Sequence, residues 1–192
     1  MSVNITIEEH NGILVLRDDL LPGGSKSILM PHIVGDNDEY VYASPVYGGF
    51  QIALSAYCNK VGKKATIFCA KRKLIHPNTQ ACIDLGANVV CIRPGYLSVI
   101  EKRAKDYCIE TGATKLVFGA GTIENKEVIA ERCRNVIKKI GHEPSEIWCA
   151  IGSGTLVDSI LMATKTAKVY GVQVGAEYTK THDRLTVLNY HK

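Results

Sequence analysis

From Tyr40 onward, short runs of β-branched and apolar residues alternate with longer segments that have helical spacing. The runs predict strands at Tyr40–Ala43, Ala65–Ala70, Asn88–Ile92, Lys115–Phe118, Glu146–Ile151 and Lys168–Val174. The segments between them predict helices at Gly49–Val61, Thr79–Leu85, Leu97–Thr111, Ile123–Ile140 and Thr155–Thr164. Apolar strands that alternate with helices are typical of a parallel sheet with helices on both faces. The predicted fold class is therefore α/β.

Glycines support this segmentation. They follow four of the predicted helices, at Gly62, Gly86, Gly112 and Gly141. Because glycine adopts the left-handed cap conformation without steric penalty, it is common just past a helix. Near the N-terminus, Asn11-Gly12 joins two apolar runs, which is the pattern of a β-hairpin with a type I′ turn. We also predict an edge strand near Leu185–Leu188.

Composition excludes several classes of protein. With 192 residues, 46% of them apolar, the chain can form one folded unit with a substantial core. The net charge of +4 comes without a dense basic run, which argues against nucleic acid as a partner, and no apolar run is long enough to cross a membrane. The seven cysteines form no CxxC pair and no metal-ligand spacing. We expect buried free thiols in a cytoplasmic protein without a metal, with Trp148 in the core.

The clearest chemical signal is Gly152-Ser-Gly-Thr155, which follows a predicted strand and opens a helix. Free amides at such a helix start favour a bound phosphate. The motif is a poor dinucleotide fingerprint, because Val157 stands where the third glycine belongs and no acidic residue ends the next strand. The alternative interpretation is a turn that uses glycine only for tight packing.

Lys26 lies in Gly24-Ser-Lys-Ser27, a near miss for the phosphate-binding loop of nucleotide hydrolases. Ser25 and Leu20 occupy the places where that motif needs glycine, so we reject nucleotide hydrolysis. A lysine whose ammonium is desolvated can instead act as a nucleophile and form a Schiff base. The alternative is an ordinary surface lysine.

The segment Ser44–Gln51 forms a glycine-bearing turn between a strand and a helix, at the edge where open sheets place ligands. Its amides, with Ser44, Tyr47 and Gln51, could hold a carboxylate or a cofactor hydroxyl. The alternative is a helix start that is capped by Ser44 or begun by its glycines.

These three segments resemble, in order and separation, the fold-type II pyridoxal-phosphate enzymes of the tryptophan synthase β-like superfamily. The similarity includes Gly62-Lys-Lys-Ala-Thr-Ile-Phe68, Leu85-Gly-Ala-Asn-Val89 and Tyr170-Gly-Val-Gln-Val-Gly175. It is strongest to the branch of 1-aminocyclopropane-1-carboxylate deaminase and D-cysteine desulfhydrase, in a shortened form.

The resemblance implies roles for the three segments. Lys26 would carry pyridoxal phosphate as a Schiff base, and a phosphate loop would form from Gly152, Ser153, Gly154 and Thr155. The cofactor ring and substrate carboxylate would lie at Gly48, Gly49 and Gln51, with Ser44 and Tyr47 as catalytic candidates. One catalytic unit would span residues 1–192, with a larger lobe from 1–43 and 119–192 and a smaller lobe from 44–118.

The chain departs from the family at two places. Gly48 or Gly49 stands where relatives often have an asparagine, and relatives continue further to supply the residue that faces the pyridine nitrogen. Thr179, Thr181 or Tyr190 could substitute for that residue.

We therefore predict a homodimeric pyridoxal-phosphate enzyme that deaminates a small amino acid or carries out β-elimination or β-replacement on it. In that enzyme Lys26 and the Gly152 loop would lie close enough for one cofactor to bridge them. A non-catalytic protein that binds pyridoxal phosphate or another phosphorylated ligand is the first alternative, and a nucleotide-binding α/β domain is a weaker one.

Overall fold

A computed structural model of the chain describes residues 4–93, 95–117, 121–175 and 177–189, which form nine strands and six α-helices. They fall into two compact units, Met1–Phe118 and Gly119–Lys192. Each unit contains its own parallel sheet, and each is described separately below.

Unit 1 is built on a four-stranded parallel sheet with strand order β5-β4-β3-β6. Its strands are β3 (Glu39–Ala43), β4 (Lys64–Ala70), β5 (Asn88–Ile92) and β6 (Thr114–Lys115). Apolar side chains bury both faces of the central pair, which is why β3 and β4 read as nearly continuous apolar runs. The predicted strand at Lys115–Phe118 is shorter and begins earlier in the structure, and its last residue lies outside the described residues.

Helices pack on both faces of this sheet, as predicted. They are α2 (Phe50–Lys60), α3 (Pro77–Asp84) and α4 (Leu97–Thr111). Ile100 and Ala104 of α4 pack into the core cluster that contains Val41 and Phe68. Helices α2 and α3 contact each other, and α2 packs on β4. Because the four strands are parallel, their carboxyl ends lie at one edge of the sheet, beside the starts of these helices.

The N-terminal part of unit 1 begins with the predicted hairpin, in which β1 (Ile7–His10) pairs antiparallel with β2 (Ile13–Leu16). Its turn residues Asn11 and Gly12 have φ values of 52° and 80°, as a type I′ turn requires. Two 3₁₀ helices (Asp18–Leu20 and Gly24–Ile28) and the short α1 (Met30–Ile33) follow. The sequence did not predict these short helices.

Unit 2 contains a three-stranded parallel sheet with the order β7-β8-β9. Its strands are β7 (Glu146–Ile151), β8 (Lys168–Gln173) and β9 (Leu185–Asn189), and its helices are α5 (Ile123–Ile140) and α6 (Thr155–Ala163). Val157 and Ile160 of α6 pack with Ile151 and Val169 in one buried cluster. The edge strand predicted near Leu185–Leu188 is confirmed.

The prediction of a core tryptophan is wrong. Trp148 is 59% exposed and stacks on Tyr170, with ring centroids 4.5 Å apart. These two residues are direct partners on neighbouring strands, so they share one face of the sheet, opposite the face that carries the buried residue Ile151. Trp148 therefore lies on the solvent-exposed face.

The cysteines also differ in part from the prediction. All seven are free thiols, and Cys58, Cys69 and Cys82 are buried. Cys91, however, is exposed, because β5 is an edge strand of the unit 1 sheet.

The predicted α/β class, with parallel sheets, flanking helices and an N-terminal hairpin, is confirmed. Within the described ranges, no helix combines the length and the apolar character needed to cross a membrane. The assignment of residues 1–43 to a larger lobe stays a prediction.

Candidate functional site

Lys26 lies in the 3₁₀ helix Gly24–Ile28 of unit 1, between two glycines and a buried apolar stretch. Burial lowers the pKa of its amine below the ordinary lysine value of 10.5. Among the described residues, no carboxylate forms an ion pair with this amine. The amine is therefore partly desolvated, which is the direction that a nucleophilic lysine requires.

Gly23 fixes the position of the Lys26 segment against the start of α2. Its φ of +77° is left-handed, and a Cβ at this position would lie 2.3 Å from the carbonyl oxygen of Gly49 and 2.6 Å from the amide nitrogen of Ala53. Only glycine permits this approach of two backbone segments. The structure therefore brings Lys26 and the turn before α2 into the same part of unit 1.

Hydrogen bonds from the Gln51 side chain stabilise the Ser44–Gln51 turn. The fully buried Gln51 side chain donates hydrogen bonds through Nε2 to the carbonyl oxygens of Val46 and Gly48, each at 3.0 Å, and to that of Pro45 at 3.3 Å. Its Oε1 is buried without a hydrogen-bond partner among the described residues. Gln51 therefore shapes the turn, and its proposed contact with a cofactor stays a prediction.

Ser44 and Tyr47 differ in exposure. Ser44 is fully buried and its hydroxyl donates to the carbonyl oxygen of Pro45 at 2.9 Å. Tyr47 is 70% exposed, and its ring makes a T-shaped contact with the ring of His76 at a centroid distance of 4.8 Å. The Nδ1 atom of His76 accepts from the amide of Asn78 and caps α3. Tyr47 therefore presents its ring to solvent at the edge where the strands end.

Backbone amides are the other feature of this turn. Gly49 is the N-cap of α2 and makes no side-chain capping hydrogen bond. The first amides of a helix have no partner within the helix, so those of Phe50 and Gln51 are available to an anionic group, whereas that of Ile52 donates to the carbonyl oxygen of Gly49 at 3.1 Å. The Gly48 amide already donates to the carbonyl oxygen of Pro45 at 2.9 Å, and the roles of Gly48 and Gly49 in holding a cofactor stay predictions.

The second part of the predicted site lies in unit 2, between β7 and α6. Gly154 has a φ of +83° and is the N-cap of α6, again without a side-chain cap. A Cβ at Gly152 would meet no atom within 4 Å, so the space above it is open. The hydroxyl oxygens of Ser153 and Thr155 lie 3.1 Å apart. Amides, hydroxyls and open space are the features that an anion-binding loop requires, and the binding of a phosphate here stays a prediction.

Two close approaches fix the backbone of this loop, and Gly121 makes an ordinary contact with it. A Cβ at Gly175 would lie 2.6 Å from the carbonyl oxygen of Gly152, and a Cβ at Gly154 would lie 2.6 Å from the ring of Tyr178. A Cβ at Gly121 would lie 3.8 Å from the hydroxyl oxygen of Thr155. The sequence analysis did not assign Gly121, Gly175 or Tyr178 to the site, although Gly175 ends one of the segments that carry the resemblance.

A cluster of ionised side chains adjoins the loop. Asp158 is in the first turn of α6, and its Oδ2 lies 2.6 Å from the Nζ atoms of both Lys126 and Lys180. Its other oxygen accepts from the hydroxyl of Tyr178. Desolvation alone would raise the pKa of Asp158, but the hydrogen bonds from Lys126, Lys180 and Tyr178 outweigh it and lower that pKa. The sequence analysis missed this cluster entirely.

Three residues were predicted to face the pyridine nitrogen of the cofactor. Thr179 and Thr181 are exposed, and Tyr190 lies outside the described residues. Lys26 and the Gly152 loop belong to different units, so the prediction that one cofactor bridges them stays a prediction.

Comparison with known proteins gives similarity of fold. Neither the protein-family models nor the curated proteins match the chain. Solved structures do: a threonine deaminase from T.th. has a TM-score of 0.62 at 18% identity over 77% of this chain. A fungal L-serine ammonia-lyase from Rhizomucor miehei has a TM-score of 0.69 at 16% identity over 89% of the chain. A hydrogen sulfide-producing enzyme from Fusobacterium nucleatum has a TM-score of 0.71 at 12% identity over 98% of the chain.

The chain thus shares the α/β fold of these three enzymes, which agrees with the fold that the resemblance implied. The chain spans 48% of the length of the threonine deaminase, 59% of the ammonia-lyase and 79% of the hydrogen sulfide-producing enzyme.

Proposed function

We propose that the chain is a pyridoxal-phosphate-dependent enzyme that acts on a small amino acid by deamination, β-elimination or β-replacement. The observation that carries this proposal is the Lys26 amine, whose pKa burial lowers and which forms no ion pair with a carboxylate among the described residues. A neutral amine is the form that attaches a carbonyl cofactor covalently.

The residues present fit this cofactor. Its phosphate needs an anion site, and the open loop Gly152–Thr155 supplies the first-turn amides of α6 and two hydroxyls. Its aldehyde needs a reactive amine, which is Lys26. The substrate carboxylate needs donors, and the uncapped start of α2 after Gly49 offers main-chain amides.

Lys26 and the turn before α2 would have different roles in the reaction. Pyridoxal phosphate, when bound, supplies an electron-withdrawing ring that permits loss of the α-proton of an amino acid. Lys26 Nζ would take up that proton, and the burial that lowers its pKa makes the neutral, basic amine more accessible than in an ordinary lysine. The turn amides would orient the substrate carboxylate.

Ser44 and Tyr47 are the next candidates for proton transfer. Tyr47 is exposed at the strand-end edge, where its hydroxyl can reach a substrate, whereas the Ser44 hydroxyl is engaged with Pro45. We therefore favour Tyr47 over Ser44 for contact with the substrate.

Covalent trapping tests the proposal. The purified chain is incubated with pyridoxal phosphate, reduced with borohydride, digested and mapped by mass spectrometry. We expect the label on Lys26, its loss in Lys26→Arg, and its persistence in Lys60→Arg, which changes an exposed lysine of the same unit. Label on another lysine, or none at all, would contradict the assignment.

A non-catalytic pyridoxal-phosphate-binding protein is the second candidate. It is favoured by the Ser44 hydroxyl, which is fully buried and already donates within its own turn. An absorbance change of the loaded protein on addition of amino acids, with release of ammonia or of a β-substituent, would separate the enzyme from the binder.

Three finer predictions belong to the same proposal. The chain would belong to the branch of 1-aminocyclopropane-1-carboxylate deaminase and D-cysteine desulfhydrase. It would form a two-fold symmetric homodimer, the commonest assembly of soluble oligomers. It would work in the cytoplasm, where its seven cysteines stay reduced.

A further inference from the structure

We propose that Lys126 and Lys180, held together by Asp158, contribute to the binding of an anionic group at the Gly152–Thr155 loop. This inference rests on the proposed function, since it assigns further residues to the phosphate site. It concerns unit 2 alone, and nothing in the resemblance assigns a role to these three residues.

The cluster is compact and its net charge is positive. Both ammonium groups approach one oxygen of Asp158, at 2.6 Å each, so the two lysines are also close to each other. Hydrogen bonding to Asp158 raises the pKa of Lys180, which therefore stays protonated. Two ammonium groups and one carboxylate leave one uncompensated positive charge.

The cluster lies next to the loop. The amide of Asp158 donates to the carbonyl oxygen of Gly154 at 3.0 Å, so the two residues are about one helical turn apart, about 6 Å along the axis. The ring of Tyr178, whose hydroxyl bonds to Asp158, packs directly on Gly154. Charges within about 8 Å of each other interact with little screening at physiological ionic strength, so an anion at the loop would be affected by a cluster that adjoins it.

Because Asp158 is negatively charged, an anion could bind beside it only if the two lysines offset its charge. A carboxylate in the first turn of α6 satisfies the positive end of the helix and would repel an anion bound at the same end. Lys126 comes from the first turn of α5 and is largely buried, whereas Lys180 follows β8 and is 61% exposed. Two separate segments therefore converge to reverse the sign of the charge beside the loop.

A purely structural cluster is the competing explanation. In that case the ion pairs would only fasten the segment after β8 to α6. The two explanations predict different effects of removing a lysine and of removing the carboxylate. In a structural cluster, both changes would loosen the segment. In an anion site, the two changes would shift the electrostatic potential at the loop in opposite directions.

The experiment is calorimetric titration of the full chain with inorganic phosphate at low ionic strength. Lys180→Met and Lys126→Met are each expected to weaken phosphate binding by about 3- to 10-fold, and Asp158→Asn to strengthen it by about 2- to 5-fold. Lys138→Met is the matched control, because this lysine is exposed in the last turn of α5, at the opposite end of the helix from Lys126. We expect it to leave the affinity unchanged, and circular dichroism checks that each variant is folded.

The outcomes separate the two proposals. If the wild-type chain binds no phosphate, the anion loop itself is wrong and this inference falls with it. If it binds phosphate and the Lys180, Lys126 and Lys138 variants all bind equally, the loop survives and the inference is overturned. Weaker binding by both Lys180→Met and Asp158→Asn would also overturn it, in favour of the structural explanation.

Discussion

Replacement of Gly23 by alanine tests how the Lys26 segment is held. A Cβ at this position would lie 2.3 Å from the carbonyl oxygen of Gly49, 2.6 Å from the amide nitrogen of Ala53 and 2.9 Å from the Ala53 Cβ. Two of these three contacts are with backbone atoms, so no side-chain rotation can relieve them. The 3₁₀ segment that carries Lys26 would have to move away from α2.

The expected loss of stability in Gly23→Ala has two parts, backbone strain and overpacking, and a comparison with Gly86 separates them. Gly23 and Gly86 have nearly the same left-handed φ, +77° and +79°, but a Cβ at Gly86 would meet no atom within 4 Å. Gly86→Ala should therefore lose only the strain of a left-handed alanine, about 1 kcal/mol. Gly23→Ala adds overpacking of about 1–3 kcal/mol, which gives a total loss of about 2–4 kcal/mol.

The assay is urea unfolding of both variants, followed by far-ultraviolet circular dichroism, together with the yield of borohydride label on Lys26. We expect the larger loss of stability, and the lower yield of label, in Gly23→Ala. Equal losses in the two variants would show that the close approach of Gly23 to α2 does not exist in solution.

Two further predictions concern unit 2. Desolvation alone would raise the pKa of Glu143. The pKa is instead lowered to about 2, because the carboxylate accepts hydrogen bonds from the amides of Thr166, Lys165 and Ala167 and from the Thr166 hydroxyl. A lowering from 4.5 to about 2 corresponds to about 3 kcal/mol, which we reduce to about 1–2 kcal/mol because the side chain is partly solvated. A carboxyl whose pKa is depressed in the folded state stabilises the fold at pH values above its unfolded-state pKa. Glu143→Ala should therefore lower the unfolding free energy by this amount at pH 7, and the difference in stability between variant and wild type should shrink between pH 4.5 and about 2. A constant difference over that pH range in urea titrations would contradict this prediction. Gly152→Ala should leave stability nearly unchanged, because nothing lies within 4 Å of the new methyl group, yet it should weaken phosphate binding by filling the open space at the loop; unchanged affinity in the calorimetric titration would place the anion elsewhere.

Local signals explain why most of the fold could be predicted. The Asn11-Gly12 turn and the glycines after the helices are set by the backbone conformation of a few neighbouring residues, and the structure gives each of them a positive φ. The bounds of α4 and α5 match the predicted ones for the same reason, since Gly112 and Gly141 end them. The short helices before β3 have no such periodicity, which is why Lys26 was not placed on one.

Features that depend on distant residues were harder to predict. Alternation along β7 separates its two faces, but it does not say which face a helix covers, so Trp148 was assigned to the wrong one. Asp158 was missed because its two lysines come from different segments, before and after it in the chain. The loop and the reactive lysine were proposed from short motifs, whereas the contacts of Gly23 and Gly175 required coordinates.

The stacked pair of Trp148 and Tyr170 gives unit 2 an intrinsic optical reporter. Trp148 is the only tryptophan of the chain, so indole fluorescence comes from the β7–β8 sheet and not from unit 1. Because the indole is 59% exposed in the folded chain, its emission maximum should already be near that of a solvated tryptophan. Melting of this sheet would therefore register as a change of intensity, when the tyrosine ring leaves the indole, with little change of colour.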